Sequence, residues 1–333
     1  MFIEKNKFMM PELEGGKWVN SHPLSTASLR GNPVLVDFWD YTCVNCLRTL
    51  PYIKEWNSRY SGLGLSVIGV HAPEFQLARE EENILRAIEK FDIRYPVVMD
   101  NDYAIWKAFS NKYWPAKYLS DKDGFLRYAH FGEGSYIETE LAIQLLLREV
   151  EPGVELPDLM KPVRDTDIPG IHCYKASPEL YFGHHLGKPG NPEGIRSEGV
   201  VDYTTEFQMK DDTIYFGGRW LVSKEYSRPA LTDGDSDARV HLRYTSSEVN
   251  IVISPEGEKG FKVFIMQDDA YLAPEDMGDD VKTDTEGRTF IEVDEPRMYN
   301  IVKNGEFGTR RLKLSTSSNA CSLHAFTFVS CTV

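Results

Sequence analysis

The chain has 333 residues, 37 of them basic and 51 acidic, for a formal net charge of −14. At roughly 100–200 residues per domain, this length suggests two domains, each able to bury its own core. Hydrophobic residues at 41% and charged residues at 26% exclude a disordered chain. The acidic balance argues against a partner bound through a phosphate backbone, so no nucleic acid is expected. No run of about 18 apolar residues is present, so no membrane-spanning helix is expected. Residues 1–10 mix Glu4, Lys5, Asn6 and Lys7 with apolar residues and lack the apolar stretch of a secretory signal. On that ground the cytoplasm is the expected location.

Residues 1–150 alternate short apolar runs with stretches of helical period. Val34–Trp39 reads as a buried strand, followed at once by Cys43 and a helix to about Tyr60. Leu65–His71 is a second buried strand. Leu77, Ile84, Leu85, Ile88 and Phe91 then recur at helical spacing. A short strand at Pro96–Met99 precedes a helical segment near Tyr103–Phe109. Ala116–Ser120 and Phe125–Phe131 flank the turn Asp121-Lys122-Asp123-Gly124. A last helix runs from about Tyr136 to Glu149, with Ile137, Leu141 and Leu145 as its apolar stripe. The order β-α-β-α-β-α-β-β-α predicts an α/β layer, a mixed sheet with flanking helices.

Residues 151–170 carry four prolines and little periodicity, and read as a linker. Beyond Ile171 the pattern becomes alternating strands: 201–209, 213–216, 240–245, 249–254, 261–267, 297–303, 309–315 and 323–329. Asn304-Gly305 between two of these runs predicts a hairpin turn. Residues 171–333 are thus expected to form an all-β sandwich or jelly roll.

Five cysteines are too few for a disulfide scaffold. Cys43 and Cys46 form a CxxC pair without the second ligand pair that a zinc site needs. Cys173, Cys321 and Cys331 read as structural thiols. Placed between a buried strand and a helix, Cys43 meets unpaired helix N–H groups and the positive end of the dipole, which favour a thiolate. Cys46, one turn further along, is positioned to resolve a mixed disulfide formed on Cys43. His184-His185 and the acidic run Asp233, Asp235, Asp237 lack metal-ligand patterns: the calcium-loop spacing fails at Ala238 and Tyr244. Neither a metal nor a bound cofactor is expected.

The segment Val36-Asp37-Phe38-Trp39 ahead of the CxxC resembles the thioredoxin superfamily. That resemblance implies a role for Asp37 in proton transfer to the second cysteine, and a buried, unpaired acid should have a raised pKa. It also implies a helix-kinking Pro51 and a cis-proline at Pro115, preceded by Trp114. YTCVNCLRTLPYIKEW, IGVHAPEF, YPVVMDNDYAIWKAF, YWPAKYLSD and HFGEGSY narrow the resemblance to the DipZ-type branch of TlpA-like thioredoxins. By the same resemblance Glu74 lies near the disulfide. Trp39 and Tyr41 flank the motif and, with Trp114, are candidates for a substrate-docking surface, although core packing explains Trp39 equally well. In the second half SPELYFG, GRW and HAFTF carry a looser resemblance, which implies a β-domain similar to carbohydrate-binding modules.

The chain departs from those families twice. Val44-Asn45 replaces the Gly-Pro of thioredoxin, and no membrane-embedded electron-transfer domain precedes the CxxC. The chain is therefore either a free-standing form or a fragment, and the relatives favour an extracytoplasmic site where the missing signal favours the cytoplasm.

The function expected is that of a thiol–disulfide oxidoreductase, reducing protein disulfides or a small disulfide. Its electron donor would be a thioredoxin-like or membrane-embedded reductase. A thioredoxin-fold peroxidase is the enzymatic alternative, but the peroxidatic pattern places a threonine three residues before the cysteine, and here Thr42 adjoins Cys43. A binding protein is the other alternative, with a glycan or protein held by the β-domain through aromatics such as Tyr181, Trp220 and Tyr226.

Overall fold

The computed structural model describes every residue except 5, 6, 169, 172, 173, 196, 206, 207 and 330–333. The chain divides into two units, Met1–Asp167 and Ile168–Val333. In the first, the elements are β1 (Lys17–Val19), β2 (Val34–Trp39), α1 (Val44–Tyr60), β3 (Ser66–His71), α2 (Glu81–Lys90), β4 (Val97–Met99), α3 (Ala104–Ala108), β5 (Ala116–Ser120), β6 (Leu126–Phe131) and α4 (Tyr136–Val150). The six strands form one mixed sheet in the order β1-β4-β3-β2-β5-β6. β2, β3 and β4 are parallel, and β1, β5 and β6 run antiparallel to their neighbours. This is a thioredoxin-like fold, as the alternation of strand and helix patterns predicts.

β2 is buried along its whole length because both faces of the sheet are covered. Leu35 and Trp39 share a core with Leu50, Ile53 and Trp56 of α1 and with Ile143 and Leu146 of α4. Val34, Val36 and Phe38 pack on the other face with Met10, Ile105 and Phe109. Asp37 is the one charged residue in this strand, and alternation places it on the α1 face. Its partner on β3 is Gly69. A Cβ there would sit 3.0 Å from both Trp39 Nε1 and the Tyr95 ring, so close packing requires the glycine.

The face that α4 buries differs from the expected one. Leu141 and Leu145 are 48% and 46% exposed, whereas Thr139, Glu140, Ile143, Gln144, Leu146 and Leu147 are buried. The inward polar residues are satisfied where they lie. Glu140 accepts hydrogen bonds from Arg59 (2.7 Å), from the Tyr60 hydroxyl (2.6 Å) and from the backbone N–H of Met160 (2.8 Å). Gln144 donates to the Tyr60 hydroxyl and to the Pro157 carbonyl, both at 2.8 Å. The proline-rich stretch read as a linker supplies two of these partners. Its residues up to Asp167 belong to the first unit, with Leu156 and Met160 packed against the core that contains Cys46.

The second unit is largely β: β7 (Leu180–Tyr181), β8 (Gly199–Tyr203), β9 (Thr213–Val222), β10 (Ser227–Pro229), β11 (Ala238–Pro255), β12 (Phe261–Gln267), β13 (Ala270–Tyr271), β14 (Lys282–Thr283), β15 (Thr289–Val293), β16 (Arg297–Thr316) and β17 (Cys321–Val329). The pairing order is β14-β15-β12-β16-β11-β17-β10-β9-β8, with β13 on β12 and β7 on β17. One apolar core gathers Phe216 and Trp220 from β9, Leu242 and Ile251 from β11, Ile265 from β12 and Phe326 from β17.

The hairpin expected at Asn304-Gly305 does not form. β16 runs through it for 20 residues, and neither residue has the positive φ that a tight hairpin turn requires. Instead the register jumps from Ser246↔Gly308 to Glu248↔Lys303, leaving residues 304–307 as a bulge. Asn304 is buried there. Its amide accepts from Gln267 (2.8 Å) and donates to the Tyr244 hydroxyl (3.2 Å), which itself donates to Gln267 (2.5 Å). Removing one member strands the other two inside the core. Asn304→Ala should therefore cost about 1–3 kcal/mol, read as a lower thermal midpoint, and an unchanged midpoint would show that the triad does not hold the bulge.

Candidate functional site

The site begins at the β2–α1 junction. Asp40 Oδ1 accepts the backbone N–H of Thr42 (2.8 Å) and its hydroxyl (2.9 Å), and Oδ2 accepts the N–H of Glu74. The Asp40 carbonyl accepts the N–H of Cys43 at 3.3 Å. These bonds hold the short turn so that Cys43 becomes the N-cap of α1, and no acidic residue in the first helical turn opposes the dipole. Cys43 and Cys46 form a disulfide with Cα atoms 5.2 Å apart. Cys43 is 8% exposed and Cys46 only 1%, and the N–H of Cys46 points at Cys43 Sγ (3.2 Å). Pro51 lies inside α1, which continues unbroken to Tyr60.

Asp37, two residues before the end of β2, is buried and its Oδ1 has no hydrogen-bond partner. Burial pushes this carboxyl up to about 7, against the pull of Lys117. Lys117 is its direct neighbour across the β2–β5 ladder. Burial lowers the Lys117 ammonium to about 8, opposed by Asp37 and Glu133. Its Nζ donates to the Gly132 carbonyl at 3.4 Å and lies 5.4 Å from the centre of the Tyr136 ring. Lys117 is not among the residues expected from the sequence; its one signal is a lysine at the second position of a short strand, beside Ala116, Tyr118 and Leu119.

The Trp114–Pro115 peptide is cis. Ala116 pairs with Phe38, so Pro115 comes level with Trp39, at the end of the sheet from which Cys43 departs. Trp114 is half-buried, donates to the Ala72 carbonyl (2.8 Å) and lies against Trp106. Glu74 joins the same end of the sheet through its bond to Asp40.

Trp39 and Tyr41 are not on a docking surface. The alternation of β2 turns Trp39 into the α1 core, edge-on to His71, while Tyr41 stacks on His71 and donates to the Leu77 carbonyl (3.1 Å). The exposed rings beside Pro115 are Tyr113 and Phe131, 5.4 Å apart. They were invisible as a pair in the sequence because Phe131 comes from a different strand.

In the second unit Trp220 is a core residue, its Nε1 donating to the Gly217 carbonyl (3.1 Å), so it cannot stack on a sugar. Asp235 and Asp237 bond Thr232 and Arg239 within their own turn. Cys321 is a buried free thiol, raised by desolvation, while Cys173 and Cys331 lie outside the described residues. Among the described residues no three His, Cys, Asp or Glu side chains are grouped to hold a metal, and no helix is long and apolar enough to cross a membrane.

A CxxC pair at a strand-to-helix junction of this fold, with a buried acid in the strand that leads to it and a cis-proline in register with the end of that strand, is the arrangement of the thioredoxin-like oxidoreductases. The profile of the AhpC/TSA family matches residues 6–129, and that of the thioredoxin-like C-terminal domain matches residues 177–328. The thiol–disulfide oxidoreductase YkuV of Bacillus subtilis is 32% identical over 143 residues, which are 43% of this chain and 96% of YkuV. The chain belongs to this family of thioredoxin-like thiol–disulfide oxidoreductases. Protein DipZ of Mycobacterium tuberculosis is 37% identical over 254 residues, which are 74% of this chain and 35% of DipZ. The chain thus spans about a third of that relative's length. A solved thioredoxin-like protein in its oxidised form shares 34% identity, covering 44% of this chain and all of its own, with a TM-score of 0.41.

The Asp37 carboxyl has a definite consequence for stability. Because its folded pKa lies above the ordinary value, its contribution is intact below about pH 4 and is lost as pH climbs towards 7. Asp37→Asn should therefore gain stability over the wild type between about pH 4.5 and 7.5, by about 1.4 kcal/mol per tenfold change in proton affinity. Urea midpoints that run parallel for the two proteins across this range would contradict the assignment.

Proposed function

We propose that the chain reduces disulfides in protein substrates, with Cys43 as the attacking thiol and Cys46 as the resolving one. The observation that carries this reading is the contrast within one disulfide. Cys43 caps the helix and is the more exposed; Cys46 lies a turn inside, on the core side that faces β2. The Cys43 thiolate, favoured by the helix N-terminus, attacks a substrate disulfide and forms a mixed disulfide, releasing one substrate thiol. Cys46 gives its proton to the Asp37 carboxylate and attacks Cys43 Sγ. The second substrate sulfur leaves as a thiolate and takes a proton from water. The substrate is then reduced and the Cys43/Cys46 dithiol is oxidised to its disulfide.

An external dithiol donor, thioredoxin-like or membrane-embedded, returns the pair to the reduced state. The cis-Pro115 backbone, with Trp114 and Glu74 near it, forms the edge against which the substrate strand lies. The resemblance to DipZ favours an extracytoplasmic setting, where a reductant has oxidised partners to act on. The β-rich unit is the candidate for partner or glycan recognition, with Tyr181 and Tyr226 remaining as its aromatics.

Insulin reduction with dithiothreitol as donor tests the roles. Cys43→Ser should abolish activity, and Cys46→Ser should accumulate a mixed disulfide visible by mass spectrometry. Alkylation of the reduced wild type should modify Cys43 first, with a midpoint below the free-thiol value of about 8.5. Full insulin reduction by Cys43→Ser would end this reading.

A further inference from the structure

One ion pair near the dithiol has no part in the mechanism above. Arg48 lies two residues after Cys46 and four after Val44, so it stands one helical turn along from the dipeptide between the cysteines. Its Nε donates to Glu133 Oε2 at 2.8 Å, and the two side chains are only 12% and 31% exposed. The partners are 85 residues apart in sequence, one on the active-site helix and the other on the loop that joins β6 to α4.

That loop, residues 132–135, has a backbone that needs an anchor. Gly132, Gly134 and Ser135 have φ of 83°, 89° and 47°, in the left-handed region. A Cβ at either glycine would meet nothing within 4 Å, so packing does not wedge them in place. Ser135, the N-cap of α4, makes no capping hydrogen bond through its side chain. Two bonds tie the loop to the sheet: the Gly132 N–H donates to the Pro115 carbonyl (2.8 Å), and the Glu133 carbonyl bonds the His130 ring (3.0 Å). Phe131, just before the loop, is the register partner of Ala116 and meets the Tyr113 ring. The loop and the cis-Pro115 edge therefore form one piece, and the Glu133 carboxylate joins that piece to α1. Thr49 and Tyr52 of α1 reach Tyr136, beyond the loop. Arg164, 3.9 Å from Glu133, is a weaker second partner because its guanidinium already bonds Asp167 at 2.8 and 3.0 Å.

We infer that Arg48 and Glu133 are positioning residues for substrate docking: their ion pair tethers the cis-Pro115 edge to α1, so that a polypeptide lying on the edge presents its disulfide to Cys43. The inference rests on the oxidoreductase reading and deepens it with a substrate class, polypeptide disulfides. A small disulfide can meet Cys43 without touching the edge, whereas a polypeptide must satisfy edge and thiolate together, so only the second depends on how the two are held. Neither Arg48 nor Glu133 exchanges a proton or an electron, and the sulfur chemistry is unchanged.

The test compares two disulfides on the full chain. With insulin and saturating dithiothreitol, Arg48→Met and Glu133→Gln should each raise KM about fivefold and leave kcat within about twofold, as expected when one partly exposed ion pair contributes to binding alone. With Ellman's reagent, the phase of thionitrobenzoate release that is absent from Cys43→Ser reports the Cys43 thiolate, and its rate should stay within about twofold of wild type in both variants. The two substitutions remove opposite charges, so an electrostatic effect on Cys43 would speed one variant and slow the other, whereas a lost tether moves both the same way. The double variant should be no worse than the poorer single one, because each already breaks the same bond. Arg48→Lys, which keeps a cation for Glu133, should hold KM within about twofold of wild type.

An unchanged KM in both variants, or shifts of opposite sign, would overturn the inference. So would an equal fall in the insulin and Ellman rates, or effects that add in the double variant, which mark a damaged helix and not a lost tether. A wild type that reacts with Ellman's reagent but leaves insulin intact would instead sink the reading as a reductase of protein disulfides, and this inference with it.

Discussion

A carboxyl group with an unpartnered oxygen, enclosed between a helix and a sheet, is the constraint around which the first unit is organised. Asp37 can occupy the middle of β2 only because the groups around it compensate its burial. A lysine is buried with it, a glycine opposite leaves room for Trp39 and Tyr95, and its pKa moves towards neutrality. The lysine and the glycine come from different strands. The same enclosure that makes the acid expensive moves its pKa towards neutrality, with desolvation and one nearby cation acting on it in opposite directions.

The turn that leads to the disulfide is held by a second buried carboxylate with the opposite arrangement. Asp40 is as deeply buried as Asp37, yet its oxygens are engaged by Thr42 and Glu74. It acts as a rivet for the turn, and the precision of that turn puts Cys43 at the helix cap. Two acids three residues apart therefore serve different ends according to whether their hydrogen-bonding capacity is filled. The β-rich unit follows the same rule at Asn304, where a bonded triad of two amides and a tyrosine hydroxyl stabilises a bulge that an apolar side chain could not specify.

The docking of residues 151–167 shows how polar satisfaction can override an apolar pattern. On sequence alone, Ile137, Leu141 and Leu145 made the natural buried stripe of α4. Glu140 and Gln144 face inwards instead, because Arg59, Tyr60 and the backbone near Pro157 and Met160 complete their hydrogen bonds. Those partners are distant in sequence, and a proline-rich segment without periodicity gives no sign of offering carbonyl and amide groups to a helix. Leu141 and Leu145 are left outside as a consequence.

Local chemistry made much of this protein legible from its sequence. The unbroken apolar run of β2, the CxxC immediately after it and the proline within α1 specify a strand, a helix cap and a redox pair through interactions only a few residues long. The change to alternating apolar residues after Ile171 likewise marked a β-rich second half. Tertiary structure decided what depends on residues meeting from afar. It turned Trp39 and Tyr41 inwards and exposed Tyr113 beside Phe131. It carried β16 through Asn304-Gly305 as a bulge, because a buried partner for Asn304 outweighs the turn preference of the dipeptide. It also set Lys117 opposite Asp37, a pairing that follows from the register between β2 and β5. Register is fixed by the packing of whole strands, and no window of sequence around either residue contains it.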